Sequence, residues 1–76
     1  MTTFTATSQS AIEVNNFLEA CYFTKVTLKN VTVKPAGEYD KYIQFTTTAP
    51  LETLQNILRD IADCSTFLQT LAAQPA

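Results

Sequence analysis

The apolar residues of this chain change their spacing twice, and that change limits the folds open to it. From Val14 they recur at Phe17, Leu18, Cys21 and Tyr22, the i, i+3, i+4, i+7, i+8 pattern of one helical face. From Lys25 to Lys34 they alternate with period two in a run rich in β-branched residues, as in a half-buried strand. From Leu51 the helical spacing returns, through Leu54, Ile57, Leu58, Ile61, Cys64, Leu68, Leu71 and Ala72. A chain that reads helix, strand, strand, helix must bury two helical stripes against one face of a small sheet.

Local signals mark the boundaries. Ser10-Ala11-Ile12-Glu13 reads as a capping box: Ser10 accepts from the Glu13 amide while the Glu13 carboxylate reaches back to Ser10. The first helix should run about three turns to Tyr22-Phe23. In the β-branched run, Val26 and Leu28 share one parity while Val31 and Val33 have the other. A continuous strand would therefore switch its apolar face near Lys29-Asn30, which calls for a bulge there. A two-residue hairpin at the same place is the alternative, but Lys-Asn is a weak turn pair beside Asn-Gly.

Pro35-Ala36-Gly37-Glu38 supplies a turn, with φ preset by proline and a positive φ open to glycine. Tyr39 to Thr47 is the expected partner strand, with Ile43 and Phe45 inward. A further short strand is expected at Thr2 to Ala6, with Phe4 inward. Pro50 fits the first turn of the last helix. Phe67 sits off the centre of that helix's stripe, Ser65-Thr66 marks a bend or a second cap, and Gln74-Pro75-Ala76 is expected to fray. The fold class is α+β: a two-layer sandwich of (β)αββα order, with two helices on one face of an antiparallel sheet of two to three strands, and residues 1–76 forming one domain.

Composition narrows the function. Among 76 residues there is no His and no Trp, one Gly and two Cys, with a net charge of −2. Without His, the usual general base near neutral pH and the commonest metal ligand are missing. One Gly leaves no glycine-rich phosphate loop. Cys21 and Cys64 fall on helical apolar positions and read as buried, reduced thiols; without a base or cationic neighbour neither suits nucleophilic catalysis. The thirteen Thr residues fit strand and cap chemistry. The expectation is no enzyme, no cofactor and no metal. The N-terminal residues lack a cationic region and an apolar run, so no secretory signal is expected. No run approaches a membrane span, and cytoplasmic residence follows as the expectation.

Charge is unevenly placed. Lys25, Lys29, Lys34 and Lys41 against Glu38 and Asp40 make residues 25–41 net +2, while residues 1–24 and 42–76 are each net −2. Lys29, Lys34, Tyr39, Lys41 and Tyr42 are therefore the candidate contact residues, cationic groups interleaved with amphipathic aromatics. The competing explanation is that these lysines merely keep sheet edges soluble. Glu52, Asp60 and Asp63 read as solvated helix faces, Glu52 with a favourable position near a helix start. Four lysines neutralise few phosphates, so free duplex DNA would be a weak ligand. A sheet edge is also open to a partner's strand or a second copy.

A small, acidic, His-free α+β chain without a catalytic motif resembles the small phage-encoded anti-CRISPR proteins, and its opening, Met1-Thr2-Thr3-Phe4-Thr5, is similar to the start of a member of that group. The resemblance covers five residues and carries over no functional residue. It implies a stoichiometric ligand of a CRISPR effector, a type I surveillance ribonucleoprotein being the nearest comparison, that blocks target-DNA recognition inside a bacterial host cell. The other functions expected of such a chain are a small oligomeric phage accessory or antitoxin-like interaction module, and a nucleic-acid-binding domain using the same lysines.

Overall fold

A computed structural model describes residues 1–74. They form strand β1 (Thr2–Ser8), helix α1 (Ala11–Phe23), strands β2 (Lys29–Pro35) and β3 (Lys41–Thr47), helix α2 (Leu51–Asn56), a π-helical turn (Ile57–Ile61), helix α3 (Ser65–Thr70) and strand β4 (Ala72–Ala73). The sheet order is β2-β3-β1-β4 and every pairing is antiparallel. This is the connectivity of a split β-α-β sandwich, an α+β domain as the sequence implies, with four strands rather than two or three.

The weakly marked N-terminal strand is central. β1 pairs with β3 along its whole length, Thr2 opposite Thr47 through Ser8 opposite Lys41, and with β4 on its other side. Phe4, Ala6 and Ser8 point inward and are buried, as are Ile43, Phe45 and Thr47 of β3. The core joins these to Val14, Phe17, Ala20 and Cys21 of α1 and to Leu54, Ile57, Leu58, Cys64, Phe67 and Leu71 of the last segment. A run of phenylalanine rings crosses between the layers: Phe4 on Phe45 (5.8 Å), Phe45 on Phe17 (5.4 Å) and Phe17 on Phe67 (4.6 Å).

Helix α1 begins where its cap places it, with Ser10 Oγ accepting from the Glu13 amide at 3.3 Å. The reciprocal half of the box is shifted. The Glu13 carboxylate accepts from the Gln9 amide at 2.8 Å and lies 3.0 Å from Ser8 Oγ, so it ties the buried end of β1 to the helix instead of closing on Ser10. At the other end the Val26 amide donates to the Cys21 carbonyl and the Lys25 amide to that of Tyr22, a Schellman stop with Lys25 at φ 62°. Residues 24–28 are consequently not strand. Val26 and Leu28 tuck partly against the core, and β2 starts at Lys29. The switch in parity is a bulge, as expected: the register slips between Lys29 and Thr32, with Asn30 at φ 55°. The β2–β3 connection closes through the Ala36 amide on the Asp40 carbonyl at 3.0 Å, leaving Tyr39 and Asp40 in the turn.

The single long C-terminal helix is corrected to three pieces. Pro50 is the residue before the helix, with ψ 158°, not its first turn. The Ala62 amide donates to the Ile57 carbonyl five residues back, widening the turn, and Asp63 at φ 53° breaks the helix. Widening and break together reset the helical phase, so Ile61 turns outward and Phe67 becomes fully buried. Ser65 does open a second helix after the bend, although its cap position is Cys64. Ala72 belongs to β4. Gln74 is held rather than frayed, its amide donating to the Thr3 carbonyl at 2.7 Å; Pro75 and Ala76 lie outside the described residues.

Thr70 closes the rest of the β1 edge. Its hydroxyl accepts from the Thr7 amide at 2.8 Å and lies 2.9 Å from both the Thr7 and Thr66 carbonyls. Thr70→Val keeps the shape and removes the hydroxyl, so it is expected to cost about 1 kcal/mol, read as a lower urea midpoint at unchanged slope. Thr70→Ala should then lose a similar amount; a neutral Thr70→Val would show that this clasp adds nothing.

Candidate functional site

The helices cover one face of the sheet, and the other faces solvent. Alternation along each strand and the pairing register place its residues in rows. Lys29, Thr46 and Thr3 form one row, Thr32, Gln44 and Thr5 the next, and Lys34, Tyr42 and Thr7 the third. The threonines knit the surface, with Thr3 Oγ1 and Thr46 Oγ1 3.2 Å apart. The structure thus brings together three of the five candidate residues. Lys34 lies directly opposite Tyr42, with Lys29 on the same face at the far end of β2. Lys41 has the other parity, opposite Pro35 and Ser8, and is half-buried. Tyr39 projects from the turn, 73% exposed.

The electrostatics of this hairpin are unbalanced. Among the described residues the ion pair within reach is Arg59 with Asp60, at 3.2 Å. Lys25, Lys29, Lys34 and Lys41 have no carboxylate partner there, and β2 carries two lysines and no acid. An unpaired surface lysine is free to engage a partner's carboxylate, and lysines on one rigid strand do so together. The face is poor in aromatics: Tyr42 stands alone among threonines, glutamine and lysines. Sheet surfaces that bind single-stranded nucleic acid stack bases on several rings.

Both cysteines are free and buried. Burial pushes the Cys21 thiol up from its ordinary 9.0 to about 12. Cys64 is also raised, by burial first and then by the negative charges of Glu13 and Asp63. Raised thiols are protonated at neutral pH, the opposite of an activated nucleophile. Among the described residues no three His, Cys, Asp or Glu side chains gather as a metal site, and no helix is long and apolar enough to cross a membrane.

A second surface was not legible in the sequence. Tyr22, assigned by its spacing to the buried stripe, is 78% exposed, and its neighbour Phe23 is 72% exposed. The two rings meet edge to face with centroids 5.6 Å apart. Beside them a shallow groove of about 350 Å³ is lined by Asn16, Glu19, Ala20, Phe23, Ile61 and Ala62. The available signal was the adjacency of two aromatics at a helix end, since consecutive helical residues point about 100° apart and cannot share one narrow stripe. The outward turn of Ile61 depends on the π-helical turn, which the spacing does not show.

No protein-family model, curated protein or solved structure matches this chain.

Proposed function

We propose that this protein is a non-enzymatic ligand that acts by occupying an acidic surface of a larger complex with the outer face of its β2–β3 hairpin. The observation that carries the reading is the set of lysines on one hairpin of an otherwise acidic chain that are unpaired among the described residues, beside a sheet face that no described helix covers. The poverty of that face in aromatics favours a protein surface over single-stranded nucleic acid, and like charge disfavours two hairpins meeting in a homodimer. The similarity of Met1 to Thr5 to an anti-CRISPR opening makes a type I CRISPR surveillance complex the specific partner proposed, with target-DNA recognition blocked by occlusion.

The test is co-elution of the tagged protein with purified type I surveillance complexes, followed by binding kinetics for Lys29→Glu/Lys34→Glu. We expect co-elution, and about a tenfold or greater loss of affinity in the double variant, much of it in a slower, less salt-sensitive association. Failure to co-elute with any such complex overturns the CRISPR assignment. Co-elution that is indifferent to the charge reversals overturns the hairpin as the contact.

A further inference from the structure

We propose that β2 is an open sheet edge that takes an extended acidic segment of the partner protein as a fifth strand, through main-chain pairing. The inference rests on the hairpin-ligand reading and specifies how that hairpin would hold its target. It starts from an asymmetry. The chain closes the β1 edge itself, with β4, the Gln74 amide on the Thr3 carbonyl, and the Thr70 hydroxyl on both backbone groups of Thr7. Among the described residues the β2 edge receives no such cover: every residue from Lys29 to Pro35 is exposed. One side of β2 is paired to β3, so the N–H and C=O groups of its other side meet only water.

The open stretch has defined ends. The register slip between Lys29 and Thr32 bounds it on one side, and Pro35, which has no amide hydrogen, on the other. Between them lies Thr32-Val33-Lys34, two β-branched residues and a lysine in regular alternation, with Val31 at the end of the slip. Thr32 and Lys34 align with Gln44 and Tyr42 on the solvent face, while Val33 aligns with buried Ile43. Yet Val31 and Val33 are 40% and 44% exposed, because the helical layer stops short of β2. An added strand would cover both valines from one face and meet Lys34 from the other. The segment that fits alternates β-branched residues with carboxylates.

Bulge, proline and lysine are also the devices by which edges avoid indiscriminate pairing. Here they act as a filter. They restrict pairing to a few residues and repel a second copy of the same cationic strand, but leave an acidic strand welcome. Strand addition of this kind takes affinity from main-chain hydrogen bonds and specificity from alternate side chains.

The probe is a synthetic seven-residue peptide alternating glutamate with valine or threonine, titrated into the full chain and followed by backbone amide NMR. Two isomers are compared with it, each N-methylated at one of the two alternating sets of amides. Both keep every side chain and charge, but each blocks a different edge of the peptide strand. The expected result is saturable shifts centred on Val31 to Lys34, slowed exchange of alternate β2 amides, and about tenfold or greater loss of affinity for only one N-methylated isomer. Absence of binding by the parent peptide overturns the proposal. Equal binding by both isomers, lost in Lys29→Glu/Lys34→Glu, would make the contact charge alone, ending the strand-addition proposal and leaving the hairpin reading intact. Equal binding that survives the charge reversals would remove both.

Discussion

Phe67→Ala is expected to lower stability by about 3–5 kcal/mol, the range for truncating a fully buried aromatic. Phe67 is wholly buried, and its ring lies 4.6 Å from that of Phe17, which in turn packs on Phe45. It is therefore the one aromatic by which the short C-terminal helix α3 reaches the core that α1 shares with the sheet. Truncation leaves a cavity at that junction, and α3 is too short to close it by shifting without loosening the Thr70 clasp on β1. Small domains have only about 5–15 kcal/mol in all, so the variant should be largely unfolded at moderate urea. Phe23→Ala supplies the contrast: its ring is exposed, and the change should stay within about 0.5 kcal/mol. Comparable urea midpoints for the two variants would show that the phenylalanine run does not hold the layers together.

The case of Phe67 also shows where sequence reasoning fails in this fold. Spacing at 100° per residue presumes an unbroken α-helix. Once the amide of Ala62 reaches back to Ile57 and Asp63 adopts a positive φ, everything beyond is rotated, and the residue that looked off-centre becomes the core. β1 was faint for a different reason. A central strand with one solvent face needs few apolar residues, and this one spends only Phe4 and Ala6 inward, with Ser8 buried through hydrogen bonds. β4 is set by the unpaired edge of β1 rather than by any pattern of its own.

What was legible rested on single-residue stereochemistry. Ser10 started α1, and the parity switch around Asn30 marked a bulge that the register confirms. The candidate surface was half legible. Its lysines and tyrosines stand out in composition, but only the strand pairing separates Lys29, Lys34 and Tyr42, which share the open face, from Lys41, which has the other parity, and from Tyr39, which lies in the turn. Tyr22 and Phe23, the last residues of α1 before Lys25 stops it, are exposed although the spacing puts Tyr22 on the buried stripe.

Above pH 9 the domain is expected to lose stability through its buried thiols. Burial raises the Cys21 pKa from 9.0 to about 12, so the folded state holds a proton that the unfolded chain gives up from about pH 9. Unfolding then releases protons, and stability falls as the pH rises between those two values; below pH 9 both states are protonated and the thiol contributes no pH dependence. The slope is about 1.4 kcal/mol per pH unit for one such group, or about 2 kcal/mol by pH 10.5. Cys64, raised by burial and by Glu13 and Asp63, adds to the loss in the same direction. Cys21→Ala removes only the thiol and leaves every other ionisable group in place. At pH 7 that variant should be the less stable one, because it empties volume beside Phe17 in the core. Its urea midpoint should fall less steeply than the parent's from pH 9 to 10.5, so that the two curves converge. Parallel curves across that window would mean that the Cys21 thiol ionises as readily in the fold as out of it, and that water reaches a side chain the core otherwise encloses.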